Sequence, residues 1–406
     1  MKNFNDKRIM ILGGGINQYP FVKAAHDIGL YTILCDRDEK NISIELADKY
    51  YPVSILDKEA VLAIAVDEEI DGIISSSELG MHAVSYVAGK LHLPTISYDS
   101  FLTLVNKARM KQFLEENGFN YPKYLLGDIN YNLETMTDLV KRWDCRLIIK
   151  PIDSSGSRGV SLIDDLSDLE QAISVALSHS KAKQFIIEEY IEQKYDFMVG
   201  GDIFVFNNNV VFGGIMDSMR NMSINSYVPT GTSYPSSISK DERQRVMAAI
   251  ERVVDLLGIE FGSFNIEIMF DQANRLYINE INPRNGGNSI PALLLEATGF
   301  DFFKNTCLGA CRMLNLESDT RFGLEKYCAT HVIHCQKDGV GTVKDFSFVL
   351  PGNVWGAAPR GAAPRTRRDF RLFLVGLLLF MCNLKFSHLV SQTKINVRSN
   401  NCGVPY

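Results

Sequence analysis

Residues 264–282 constrain this chain most, because two alternating runs there flank a short polar turn. Phe264, Ile266, Ile268 and Phe270 alternate with Asn265, Glu267 and Met269, the period of a half-buried strand. A second run over 275–282 is expected to place Ile278, Glu280 and Asn282 on one face, since side chains two apart point the same way. Asp271, Gln272, Ala273 and Asn274 lie between them, so the two runs predict an antiparallel hairpin with Ala273 and Asn274 at its tip. That register sets Glu267 opposite Glu280 and Asn265 opposite Asn282. Facing carboxylates destabilise a ladder, so the pairing makes sense with a cation between them. Two glutamates and an asparagine, close to Arg284 and a Gly-Gly turn, suit Mg²⁺ carrying substrate phosphates. A solvated edge hairpin with both glutamates turned to water is the competing reading of this stretch alone.

At 406 residues the chain has room for two or three domains. Its net charge of −6, and the lack of a basic domain before residue 353, argue against nucleic acid as a partner. Of eight cysteines only Cys307 and Cys311 fall within one helical turn, and no Cys-x-x-Cys pair or zinc-type spacing occurs. Reduced core thiols, and a start that runs straight into a strand, predict a cytoplasmic protein.

The N-terminal third alternates strands and helices. A strand at 9–12 ends in Gly13, Gly14 and Gly15, a helix runs to His26, and a strand at 31–35 closes on Asp36. Further expected elements are a helix around 58–68, a strand at 72–75, a helix from about 82 to 91, and a strand at 94–97. This pattern predicts a parallel sheet covered on both faces, with ligands at the carboxyl ends of its strands. Gly14, Asp36 and Glu78 then share one rim. Glu78 could hold a substrate amine there or cap the helix that follows. The glycine turn and Asp36 also resemble a dinucleotide fingerprint, but Gln18 stands where its third glycine belongs.

Downstream, a helix at 106–118 precedes an apolar strand at 147–150 that ends in Lys150, a costly place for an ammonium unless it meets an anion. The small-residue loop that follows, with Ser155, Gly156 and Ser157, offers backbone N–H groups to phosphates. It lacks the Lys-Ser/Thr ending of a Walker A motif. Ser167 and Ser239, each three residues before a glutamate, predict capping boxes that open helices. Strands are expected at 185–191, 199–206 and 210–212.

Together these pieces resemble the ATP-grasp superfamily, in the carboxylate–amine ligase branch near biotin carboxylase and the carbamoyl-phosphate synthase large subunit. The resemblance covers roughly residues 7–344. It implies an α/β and α+β architecture: a Rossmann-like parallel-sheet domain (1–105), a small lid subdomain (106–198) and an antiparallel-sheet subdomain (199–348), with ATP held between the last two. It assigns Lys107 and Lys150 to the nucleotide phosphates, Ser155, Gly156 and Ser157 to the lid loop, and Glu188, Glu189 and Ile191 to the adenine. Asp196 falls at the ribose position. Glu267, Glu280 and Asn282 match the ligands of Mg²⁺, for which Mn²⁺ could substitute, and Arg284 matches the catalytic arginine. Gly14 and Glu78 fall on the substrate side. The implied reaction activates a carboxylate as an acyl phosphate for attack by an amine. Both substrates would be small molecules, and a homodimer is possible.

Three other functions fit parts of the sequence: carbamoyl-phosphate-synthase-like phosphorylation of a small carboxylate or bicarbonate, an NAD(P)-binding oxidoreductase, and a nucleotide-binding protein without catalysis. After residue 348 the chain changes character, with eight Lys/Arg against one acidic residue from 353 onward. The apolar run 372–384 is too short to span a bilayer. A disordered or aberrant tail over 349–406 is expected in preference to a membrane anchor.

Overall fold

The computed structural model describes residues 6–154, 158–221, 225–316, 326–331, 343–349, 371–372 and 394–399. Four parallel strands open the chain: β1 (Arg8–Leu12), β2 (Tyr31–Cys35), β3 (Lys49–Tyr51) and β4 (Gly72–Ile74). They are ordered β3-β2-β1-β4. Helices α1 (Tyr19–Asp27), α2 (Lys58–Asp67) and α3 (Glu78–Leu91) connect them or follow them. Alternate residues of β1 enter different cores. Ile9 and Ile11 face one side, while Met10 and Leu12 pack with Val61 of α2 and Val84 of α3 on the other. A strand buried on both faces reads as a continuous apolar run, as β1 does.

Residues 94–97 form no strand, contrary to the sequence reading. Ile96 enters a core, and the Ser97 side chain accepts from Ser100 N to cap α4 (Tyr98–Val105). A second helix, α5 (Lys107–Glu116), follows directly, with the Asn106 side chain accepting from Ala108 N and Arg109 N.

A small antiparallel sheet is built from β5 (Tyr124–Asp128), β6 (Leu147–Pro151), β7 (Ser161–Ile163) and β8 (Gln184–Glu189), ordered β5-β8-β6-β7. Helices α6 (Leu133–Lys141) and α7 (Leu169–His179) cover one face and give it a core of its own. The capping box predicted at Ser167 does not form. Asp165 caps a short 3-10 turn by accepting from Ser167 N, and α7 begins behind that turn.

The largest sheet contains β9 (Phe197–Phe206), β10 (Asn209–Asn221), β11 (Asn225–Tyr234), β12 (Phe261–Phe270), β13 (Leu276–Asn282) and β14 (Cys328–His331). Two further strands are β15 (Val343–Val349) and β16 (Arg371–Leu372), and a last one is β17 (Lys394–Ser399). The sheet order is β13-β12-β9-β10-β11-β14-β16, and β15 pairs with β17 separately. One face packs on α4, α5 and α8 (Lys240–Leu256). Helix α8 opens with the predicted capping box, in which Ser239 and Glu242 bond each other's backbone N–H. On the other side, α9 (Ile290–Thr298) and α10 (Phe302–Ala310) join this sheet to the N-terminal domain. Ile9, Ile11 and Phe21 share that core with Phe204, Phe300 and Phe302, and Phe212 stacks on Phe300 at 4.2 Å. Most of the tail, including 373–384, lies outside the described residues, and with it the expectation of disorder. Among the described residues no helix is long and apolar enough to cross a membrane.

The join between β4 and α10 leaves no room for a side chain at Gly72, where a Cβ would lie 2.7 Å from the Ala310 carbonyl oxygen. Because the nearest atoms are the Ala310 backbone, with Cys311 Sγ 2.9 Å away, Gly72→Ala should cost about 1–3 kcal/mol. A urea titration against the wild type checks this.

Candidate active site

The β12–β13 hairpin pairs Asn265 with Asn282 and Glu267 with Glu280, the register read from the sequence. It arrives there by a different route. The turn is a three-residue loop, with Asn274 N donating to the Asp271 carbonyl and Asn274 at φ 62°. The ladder then slips by one residue between Glu267 and Ile268, so Asn279 is the extra residue of a bulge. The bulge turns Ile278 into the core, away from Glu280, which corrects the expectation of a shared face. It also leaves Asn279 Nδ2 donating to Glu267 Oε2 at 3.1 Å.

Each glutamate meets a cation. Arg220 Nη2 donates to Glu267 Oε1 at 2.8 Å, and Lys107 Nζ lies 3.6 Å from Glu280 Oε1. Burial works to raise the Glu280 pKa. Lys107, the Asn282 amide and Arg284 outweigh it and hold the carboxylate below its ordinary range. Asn282 Nδ2 donates to Glu280 Oε2 at 3.2 Å, leaving its amide oxygen as a further hard donor. Among the described residues no three His, Cys, Asp or Glu side chains are grouped to hold a metal by themselves. Two carboxylates and an amide oxygen form a partial shell, which suits a cation that also takes phosphate oxygens.

The other end of the cleft is built on β6 and β8. Ile148 and Lys150 of β6 pair with Glu188 and Ile186 of β8. Lys150 Nζ donates to Glu188 Oε2 at 2.8 Å. Glu188 is only 3% exposed, and Lys111 Nζ, equally buried, lies 3.5 Å from its Oε1. Burial alone would push Glu188 up. Lys111 and Lys150 more than offset it, and the pKa falls to about 2. Burial lowers the Lys111 pKa, with Glu188 opposing. Glu189 N donates to the Lys123 carbonyl, so a ligand at Glu189 would find its carbonyl rather than its N–H. Lys107 Nζ also donates to the Ser154 carbonyl at 2.8 Å, at the entrance of the 155–157 loop.

One cleft of about 610 Å³ is lined by Lys150, Glu188, Glu189, Ile191 and Asp196 towards Glu188, and by Lys107 beside Glu280. Glu267, Glu280, Asn282 and Arg284 line the other end. Ser155, Gly156 and Ser157 lie outside the described residues. Gly14 and Glu78 are not in the lining. Glu78 begins α3, whose cap is the Ser77 side chain accepting from Gly80 N. Burial raises the Glu78 pKa against the pull of Arg284 and Lys107, which places this carboxyl in the field of the same charges. Gly14 N donates to Asp36 Oδ2 at 2.7 Å and Asp38 N to Oδ1 at 2.9 Å. The acidic residue of the dinucleotide-like pattern therefore ties its own turn together.

Four residues of this region were absent from the sequence reading: Lys111, Asp202, Arg220 and Asn279. Asp202 on β9 is fully buried and holds the segment after β13. It accepts from Asn265 Nδ2 at 2.9 Å, from Asn285 Nδ2 at 3.1 Å and from Gly286 N at 2.8 Å. A Cβ on Gly286 would sit 2.9 Å from Asp202 Oδ1 and 2.7 Å from Asn265 Nδ2. Arg284 is two residues from that anchor, its Nη1 donating to the Asn285 carbonyl at 2.8 Å.

Residues 104–288 match the family model of the ATP-grasp domain. The chain carries an ATP-grasp domain. It is 25% identical over 307 residues to the formate-dependent phosphoribosylglycinamide formyltransferase of Sulfurisphaera tokodaii, covering 75% of this chain and 76% of that enzyme. It is 24% identical to the carbamoyl phosphate synthase large chain of Pasteurella multocida, over 72% of this chain but 28% of that one. Its fold is also that of the L-amino acid ligase of Bacillus licheniformis, with a TM-score of 0.69, 19% identity and coverage of 84% and 82%.

Asp202 makes a testable element of this ATP-grasp site. Burial raises its pKa to about 6, against the hydrogen bonds from Asn265, Asn285 and Gly286. The folded state therefore keeps a proton that the unfolded chain releases near pH ~4. Stability from this group falls as pH rises from about 4 to about 6 and is flat above. Asp202→Asn should remove that slope. It should also cost roughly 1–3 kcal/mol at pH 7 by setting an amide against donors. Urea titrations of both proteins between pH 4 and 8 measure both effects.

Proposed function

We propose that this chain is an ATP- and Mg²⁺-dependent ligase that activates a carboxylate as an acyl phosphate and transfers the acyl group to an amine. The observation that carries this reading is one cleft with two ends. Glu267 and Glu280 face each other at one end with Arg220 and Lys107 beside them, and Glu188 sits between two lysines at the other. Glu267, Glu280 and the Asn282 amide oxygen would hold Mg²⁺, or Mn²⁺ with its similar preference for hard oxygen. When bound, the ion supplies positive charge for the phosphates. The chain's own residues do the rest. Lys107 and Lys150 give positive potential along the cleft, Glu188 fixes the Lys150 ammonium, and Asp202 fixes the loop that carries Arg284. Phosphoryl transfer needs mostly such positioning and neutralisation.

In this reading the 155–157 loop covers the phosphates, and Glu189, Ile191 and Asp196 line the nucleoside end. Arg284 steadies the transferred group. Gly14 and Glu78 on the neighbouring rim meet the amine-bearing substrate, and the raised Glu78 carboxyl suits a proton acceptor there. The names of the relatives, formate-dependent formyltransferase and carbamoyl phosphate synthase, support a small carboxylate or bicarbonate as the acid. A cytoplasmic homodimer completes the proposal. Four buried free thiols, Cys35, Cys307, Cys311 and Cys328, support the reducing compartment.

A nicotinamide oxidoreductase is disfavoured by one observation: both Asp36 oxygens accept from their own turn. Thermal shift separates the two readings. ATP with Mg²⁺ is expected to stabilise the protein, and stabilisation by NAD(H) alone would overturn the ligase reading. In an ADP-release screen over small acids and amines, Glu280→Ala should lower turnover by about 10²-fold or more. Undiminished ADP release in that variant would remove Glu280 from the metal site.

A further inference from the structure

Arg220 occupies a position that the proposed chemistry leaves without a task. It lies at the end of β10, opposite Pro229 of β11, where the pairing is irregular. Its side chain is 13% exposed and lines the cleft. From there it reaches Glu267 across β9. Glu280 flanks Glu267 from β13, so Arg220 and Glu280 approach Glu267 from opposite sides.

In this state Arg220 neutralises Glu267 as Lys107 neutralises Glu280. Glu267 and Glu280 would hold a divalent cation, whose positive charge would replace that neutralisation and disfavour a guanidinium on Glu267. Lys107 is also held by the Ser154 carbonyl, to which it donates at 2.8 Å. Arg220 stands on the far side, and its planar fork matches a carboxylate in two-point contact. We propose that Arg220 is the binding group for the carboxylate substrate, handed from Glu267 to that acid when the cation–nucleotide complex enters. The inference rests on the proposed ligase function and adds an order to it: nucleotide first, acid second.

Formate, the smallest carboxylate, serves as the probe, with Mg²⁺ and a non-hydrolysable ATP analogue titrated into the full chain by calorimetry. Formate should tighten analogue binding about fivefold or more in the wild type, since coupling is reciprocal. In Arg220→Met that coupling should fall below about twofold, with formate-free analogue affinity no weaker than wild type. Arg220→Lys, which keeps the charge but loses the fork, should fall between them. Coupling that persists in Arg220→Met overturns the assignment, as does its absence from a wild type that binds the analogue. A tenfold loss of analogue affinity in Arg220→Met would move Arg220 to the nucleotide site and overturn it equally. A wild type that binds no analogue with Mg²⁺ present fails the ligase reading itself, a separate result.

Discussion

Glu267 and Glu280 stand directly opposite each other on neighbouring strands, and the surrounding structure is arranged around the cost of that repulsion. Facing carboxylates weaken a ladder unless opposite charge is close. Here that charge comes from two distant parts of the chain, Lys107 at the start of α5 and Arg220 on β10. Helix α5 must therefore dock on the large sheet, which it does through Met110 and Leu114. The same helix directs Lys111 to Glu188 at the opposite end of the cleft. One helix thus compensates acidic groups at both ends. Its two lysines are one turn apart on a single face.

The buried groups around Arg284 solve a different problem. The segment after β13 has no regular partner strand, yet it must present a guanidinium at a fixed place. Asp202 supplies the missing acceptors from within β9. Burying a carboxylate is costly, and hydrogen bonds from three residues offset much of that cost. The glycine at 286 lets backbone and carboxylate come within 2.8 Å of each other.

Much of this was legible in the chain itself. Period-two alternation located β12 and β13, and strand–helix alternation gave the N-terminal parallel sheet. The Glu267–Glu280 pairing was also anticipated, though two departures had to cancel. A three-residue turn shifted the register, and the bulge at Asn279 restored it. Neither shows in apolar periodicity, because both are local backbone choices. Residues 94–97 misled for a related reason: a short apolar segment reads alike whether it pairs or merely enters a core before a helix cap. Asp202 was out of reach, since its partners lie 63 to 84 residues away. Its one trace is an acidic residue inside the apolar run of β9. Lys111 could have been found from its i+4 spacing to Lys107.

The core shared by β1, α1, Phe204 and Phe300 has a consequence for selectivity. Since the parallel sheet and the large sheet are packed as one body, the span from the rim at Glu78 to the carboxylates at Glu267 and Glu280 is set by side-chain packing. The small sheet, with its separate core, is the part left to adjust around a ligand. The rigid body then works as a calliper. On the proposed function, a substrate would be gauged by the length between the group held at the rim and the group presented to Arg284, whatever its chemical decoration in between.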